Sequence, residues 1–297
     1  AAALTAPIAA QAACPTDLEA AATVAHFANL QPAPNPPEMS IEDAKCGRDK
    51  VNRFLAQNYG KVVGYKAGLT TPATQKRFNF PSPVRGTLYQ TMMLQDGVEV
   101  PAKFGARPVF ESDLVVEVKD SGINMAKTPA EAARHISRVY PFIELADLVV
   151  EDPSKITGAG IVYMNVGARL GVLGKPIDVQ PSQAMADALA NMTVKLIDQD
   201  GKELDSAKGS AVLEHPLNAV VWLVKDLNAS AQEGRSSLPR LVLPPAAPQA
   251  RNQRQSDLRR AARQSVGLGA VQIIIPSGRP GKRLQLRRAR PGLARRR

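Results

Sequence analysis

The chain has 297 residues, 44% of them hydrophobic, and a formal net charge of +11. No run approaches the roughly 18 apolar residues of a membrane-spanning helix, and two cysteines exclude a scaffold built on disulfides. The charge is uneven: residues 1–232 hold 22 Lys plus Arg against 25 Asp plus Glu, whereas residues 233–297 hold 16 against 2. A nucleic-acid or membrane-surface reading of the basicity therefore applies to the tail alone.

In chain order, residues 1–16 are a flexible start or the remnant of a signal peptide. Residues 1–13 are small, apolar and uncharged ahead of Cys14-Pro15-Thr16-Asp17, like the A-x-A end of a secretory leader. This predicts a periplasmic or secreted protein, with a cytoplasmic one as the alternative. Residues 17–58 read as a helical N-terminal subdomain, interrupted by the proline-rich link 31–37. Cys14 and Cys46 lack a metal-binding spacing and allow at most one disulfide. His26 and His135, in helix-like segments, read as solvated or boundary residues.

Residues 59–232 form the expected catalytic body, long enough for one sizeable core. Periodicity predicts strands at Val62 to Lys66, Phe110 to Val118, Tyr140 to Leu145, Ala168 to Leu173 and Met192 to Asp198. They alternate with helices at Pro129 to Val139, Pro181 to Ala190 and Pro216 to Leu227. Trp222 reads as core on the apolar face of the last helix.

Within the body, Phe110-Glu111-Ser112-Asp113-Leu114 carries two carboxylates two residues apart on a strand. Both project from one face and can close on one hard cation. An exposed acidic face is the equal reading from spacing, since Glu117 shares their parity while Leu114, Val116 and Val118 take the other. Glu144 follows in the apolar run Tyr140-Pro141-Phe142-Ile143-Glu144-Leu145, where an unpaired charge is costly to bury and a metal removes the cost. Lys66, in Val62-Val63-Gly64-Tyr65-Lys66-Ala67-Gly68-Leu69-Thr70, is either an acid/base lysine whose pKa falls on burial or a snorkelling lysine at the core edge. His215 precedes Pro216 at a helix start, so its imidazole either caps that helix or serves catalysis. Asn165, polar in an apolar setting, reads as structural or functional with equal weight.

Taken together, Gly64-Tyr65-Lys66-Ala67-Gly68-Leu69-Thr70, Gly86-Thr87-Leu88, Glu111-Ser112-Asp113, Glu144 and His215-Pro216-Leu217-Asn218-Ala219 ahead of Trp222-Leu223 resemble the fumarylacetoacetate hydrolase superfamily. The order and spacing are similar to those of its 2-keto-4-pentenoate hydratases and their decarboxylase relatives from about Asn58 to Leu227. The resemblance implies a mixed α/β fold around a rolled, barrel-like β-sheet, with a small helical N-terminal region. It also implies a Mg2+ or Mn2+ ion held by Glu111, Asp113 and Glu144, with Lys66, Glu111, Glu144 and His215 in catalysis and Lys66, Leu114 and Asn165 at the substrate. The implied reaction adds water to a small 2-hydroxydienoate or 2-oxo-enoate through a metal-stabilised enolate, in the breakdown of aromatic compounds and in a homo-oligomer.

Two departures bear on the reaction. Met164-Asn165-Val166-Gly167 stands where such hydratases usually read D-N-A-S, and Pro83-Val84-Arg85 replaces an acidic residue before the G-T-L motif. Decarboxylation or C–C hydrolysis is therefore the alternative. A non-catalytic exported homologue, or a nucleic-acid binder working through its basic tail, is the other. The tail itself has 15 Arg and one Lys, against 8 and 14 in residues 1–232. Residues 250–271 are also compatible, in the next frame, with a glycine turn and alternating valines like the family's closing hairpin. A frameshift near residues 229–234 that made 233–297 non-native is the resulting expectation, and it makes a nucleic-acid partner unlikely.

Overall fold

In a computed structural model, the structure describes residues 14–198, 200–232 and, for the backbone only, 271–274. The chain opens with two helices, α1 (Asp17–Ala28) and α2 (Ile41–Tyr59). Thr16 and Ser40 sit in extended conformation ahead of them and accept from the amides of Glu19 and Asp43, which satisfies donors that a helix start leaves orphaned. Cys14 is disulfide-bonded to Cys46, joining the entry of α1 to α2. Both helices bury their apolar residues with Tyr89, Val149, Val150 and Ile161 to Val166, so they share a core with the body.

The body follows with β1 (Val62–Gly68), α3 (Pro72–Arg77), β2 (Val84–Tyr89), β3 (Met93–Gln95), β4 (Pro108–Val118) and α4 (Pro129–Ala133). Then come β5 (Ile136–Asp147), α5 (Gly158–Tyr163), β6 (Leu170–Leu173), β7 (Ile177–Asp178), α6 (Gln183–Asn191), β8 (Thr193–Ile197), β9 (Glu203–Lys208), α7 (Pro216–Gln232) and β10 (Val271–Ile274). The main sheet runs β2-β1-β10-β4-β5-β6-β3, with β7 on β5, and β8-β9 is a separate hairpin. Helix α7 lays Leu217, Val220, Leu223 and Leu227 on a core completed by Tyr65, Leu114, Val116 and Val118, and Trp222 packs half-buried at its margin.

The expected helix Pro129 to Val139 is corrected. Only Pro129–Ala133 is helical, and Ile136 onward is β5, paired along its length with β4 from Pro108↔Asp147 to Val118↔Ile136. Ile136 and Val139 are β-branched and Pro141 forbids helix continuation, so the long antiparallel ladder wins. Strands β2 and β9 and helices α3 and α5 carry too short a period to be read in advance. Residues 271–274 enter the sheet between β1 and β4. The rest of the tail, with its expected frameshift, and residues 1–13, with the expected leader, lie outside the described residues.

Candidate metal centre

The register of β4 against β5 builds the site. Glu111 lies directly opposite Glu144, and Asp113 projects on the same face as Glu111. One carboxylate oxygen from each of the three lies within 4.8 Å of the others. Asp113 is 3% exposed and Glu144 1%, while Glu111 keeps partial access to solvent. Like charges facing each other across a ladder repel, and burial removes the water that would screen them. Burial first, then the Glu144 charge, pushes the Glu111 carboxyl up to about 8, with Lys66 and Arg77 pulling it back down. The same two causes, with Glu111 added, raise Asp113 well above its ordinary range.

Lys66 is the cation already present. Its side chain, 3% exposed, forms an ion pair with Glu144 and donates to the Val166 carbonyl at 3.3 Å. Burial pulls the ammonium down, but Glu144, Glu111 and Asp113 together outweigh it, and its pKa is raised. This corrects the expectation of a lysine depressed by burial: Lys66 is a held charge. One ammonium does not balance three carboxyl groups, and Glu111 and Asp113 accordingly hold their protons more tightly than free carboxylates do. Carboxylate oxygens converging at this spacing are the donor set of a hard divalent cation such as Mg2+ or Mn2+.

The remaining candidates fall elsewhere. Leu114 takes the opposite face of β4 and is buried in the core beneath α7. This corrects its expected place at the substrate, since alternation along β4 turns its side chain away from Asp113. His215 sits at the head of α7, where Nδ1 accepts from the Leu217 amide and Nε2 donates to the Ala186 carbonyl at 2.9 Å. Burial lowers its pKa. Both nitrogens are engaged in joining α6 to α7, and no hydrogen bond or ion pair ties the ring to the carboxylates among the described residues.

Asn165 is 1% exposed, and its amide is taken by the backbone of Thr87, accepting from Thr87 N at 2.7 Å and donating to Thr87 O at 2.9 Å. Arg85, which stands just before the G-T-L motif, pairs with Asp226 of α7 at 2.5 Å and donates to Ser230. Sequence reasoning missed two participants: the Val166 carbonyl on Lys66, and Arg77 at the end of α3, whose charge reaches Glu111. A cation six residues beyond Thr71 is a signal for the second, but nothing in the sequence marks which carbonyl faces Lys66.

A trio of carboxylates, two of them buried, with a buried lysine beside it, on a mixed α/β fold, defines a candidate divalent-cation centre. The chain is 30% identical over 176 residues to a 2-keto-4-pentenoate hydratase of Burkholderia vietnamiensis, covering 59% of this chain and 64% of that protein. It is 29% identical over 197 residues to a 2-hydroxyhexa-2,4-dienoate hydratase of Comamonas testosteroni, covering 66% and 72%. Among solved structures, its fold matches a 4-oxalocrotonate decarboxylase of Pseudomonas putida complexed with magnesium and adipate, with a TM-score of 0.61 and 23% identity over 75% of this chain and 84% of that one. No family model matches the chain.

The chain is thus a homologue of the 2-keto-4-pentenoate hydratases and 4-oxalocrotonate decarboxylases, the group its motifs resemble. It spans a little under two thirds of the Burkholderia relative, at 64%. This kinship corrects the expectation of a periplasmic or secreted protein, which relatives named as hydratases and a decarboxylase do not support; the cytoplasmic alternative drawn from the sequence is consistent with them.

Proposed function

We propose that the protein is a metal-dependent hydro-lyase that adds water to a small 2-hydroxydienoate or 2-oxo-enoate of the 2-keto-4-pentenoate type. The convergence of Glu111, Asp113 and Glu144 beside Lys66 carries this reading. The three carboxylates would hold Mg2+ or Mn2+; a structurally similar 4-oxalocrotonate decarboxylase is described in complex with magnesium. A divalent cation there supplies Lewis acidity toward a 2-oxo group and its adjacent carboxylate.

The protein's own residues do the rest. The Lys66 ammonium, fixed between Glu144 and Val166, offers its remaining donor to a substrate carboxylate or to the carbon that gains a proton. Glu111, the most accessible of the three acids, would meet entering substrate first. Burial of the others excludes bulk water and strengthens every charge interaction inside. Decarboxylation or C–C cleavage is the second reading, favoured by Val84-Arg85 and Met164 standing where hydratases usually carry acids.

The proposal includes the rolled sheet and the homo-oligomer. Two observations support the roll. β2 and β3 are separated only by residues 90–92 yet lie at opposite ends of the strand order. Lys66 of β1 also pairs with Glu144 of β5 three strand intervals away, about 14 Å on a flat sheet.

The test is the loss of ultraviolet absorbance of 2-hydroxypenta-2,4-dienoate with Mg2+ or Mn2+. Turnover that disappears on chelation and in Glu111→Gln, while the mutant's circular dichroism stays that of the parent, is the expected outcome. Full turnover in Glu111→Gln removes the ligand assignment, and a folded, Mn2+-binding parent that leaves the dienoate untouched removes hydration.

A further inference from the structure

We propose that the turn Asn165-Val166-Gly167 is a positioning device for Lys66, and that Asn165 acts through this turn and not on substrate. The inference deepens the reading of the site as a 2-oxo acid centre and rests on it for the role of Lys66. Three consecutive residues here have left-handed backbone, with φ of 54°, 57° and 64°. Glycine adopts this freely and asparagine tolerates it, but a β-branched valine does so only where its surroundings over-determine it.

Those surroundings are visible. The Asn165 amide copies a strand partner, pairing with both Thr87 N and Thr87 O on β2. That latch fixes the residue before Val166, and the Val166 carbonyl then faces Lys66 Nζ at 3.3 Å. Lys66 thereby has a second acceptor besides Glu144.

Bare backbone beneath both partners completes the device. Gly86 is the register partner of Lys66 on β2. A Cβ at Gly86 would lie 2.8 Å from the Asn165 carbonyl oxygen and 2.9 Å from Lys66 Cγ. At Gly68 a Cβ would lie 2.5 Å from Val166 Cγ1. Turn and lysine therefore pack directly on the two strands, and Lys66, Asn165 and Val166 are all buried. An interaction that only restrains a reacting group is felt in turnover more than in substrate affinity, because misplacement by an ångström costs roughly a hundredfold.

The experiment compares Asn165→Ala and Asn165→Asp with the parent in the full chain by two readouts. The first is the rate at which Lys66 is acylated by acetic anhydride, followed by peptide mass spectrometry. The second is kcat and KM for the dienoate, with Mn2+ affinity and circular dichroism as controls. Asn165→Ala is expected to raise Lys66 labelling severalfold and to lower kcat roughly a hundredfold with KM and Mn2+ affinity within about threefold. Asn165→Asp, which keeps only the accepting oxygen, is expected to fall between Asn165→Ala and the parent.

A raised KM with unchanged kcat and labelling in Asn165→Ala makes Asn165 a substrate contact and overturns the proposal. So does unchanged labelling in a folded Asn165→Ala. If Asn165→Ala does not fold, Gly68→Ala, which pushes on Val166 from the other side, takes its place and is judged by the same labelling. Increased labelling in a chain whose parent does not hydrate the dienoate leaves the device standing and removes only the hydratase reading.

Discussion

Replacing Lys66 by methionine tests the electrostatics of the site most directly, because methionine keeps the length of the side chain and removes only its charge. In the folded protein the ammonium is 3% exposed and paired with Glu144, itself 1% exposed, beside Asp113 and Glu111. Removing one partner of a buried pair costs about 3–5 kcal/mol. At roughly 2–4 °C per kcal/mol for a body of this size, the metal-free variant should melt on the order of 6–20 °C below the parent. The loss depends on pH with a definite sign. Carboxylates whose folded pKa is raised bind more protons folded than unfolded, so metal-free stability falls as pH rises from the unfolded carboxylate range through the folded value, about 8 for Glu111. Without Lys66 the carboxylates rise further, so the gap from the parent should be wider above pH 8 than near pH 6. Mn2+ at a thousandfold excess over its Kd returns about 4 kcal/mol and should recover most of the loss. The assay is calorimetric melting of both chains near pH 6 and above pH 8, with chelator and with Mn2+. A variant that melts within about 2 °C of the parent in chelator at both pH values would refute the reasoning.

His215→Ala should destabilise by about 1–2 kcal/mol, the cost of a lost helix cap, and leave kcat per folded molecule unchanged; a drop in kcat without a drop in stability would return the imidazole to catalysis. Since burial holds the His215 pKa below its ordinary value, the folded state binds fewer protons there, and its contribution to stability should fade as pH drops through the unfolded pKa near 6.5, an effect absent from the alanine variant on the same melting curves. Truncation after Gln232 removes the strand between β1 and β4 and should abolish Mn2+ binding measured by calorimetry; unimpaired binding in the truncated chain would show that the tail does not build the site.

Local pattern made part of this site legible. Glu111 and Asp113 are two apart on a strand, and strand parity alone puts them on one face; Glu144 stood out because its apolar neighbours leave a charge without water. What no local pattern carries is register. That Glu144 faces Glu111 follows from an eleven-position ladder whose far end, Ile136 to Val139, reads locally as the end of a helix. The same limit explains Asn165 and His215. Each was readable as a polar side chain in need of partners, but the partners, Thr87 and Ala186, lie 78 and 29 residues away. Leu114 was placed at the substrate by kinship, against its own parity, and parity prevailed.

The tail joins these arguments at one point. Lys66 belongs to β1 and the facing acids to β4 and β5, and the backbone ladder that joins β1 to β4 in the sheet runs through residues 271–274, with Lys66 opposite Gln272 and Gln272 opposite Val115. A strand in that slot therefore governs how closely lysine and carboxylates approach, whichever reading frame encodes it. The alternative frame across codons 250–271 places its alternating valines just ahead of the same slot. If the coding DNA permits that frame, the restored chain should bind Mn2+ more tightly and turn over faster than the chain as it stands. If it does not, Val271–Ile274 is the native closure of the sheet, and substituting proline at Gln272 should then lower Mn2+ affinity as truncation does.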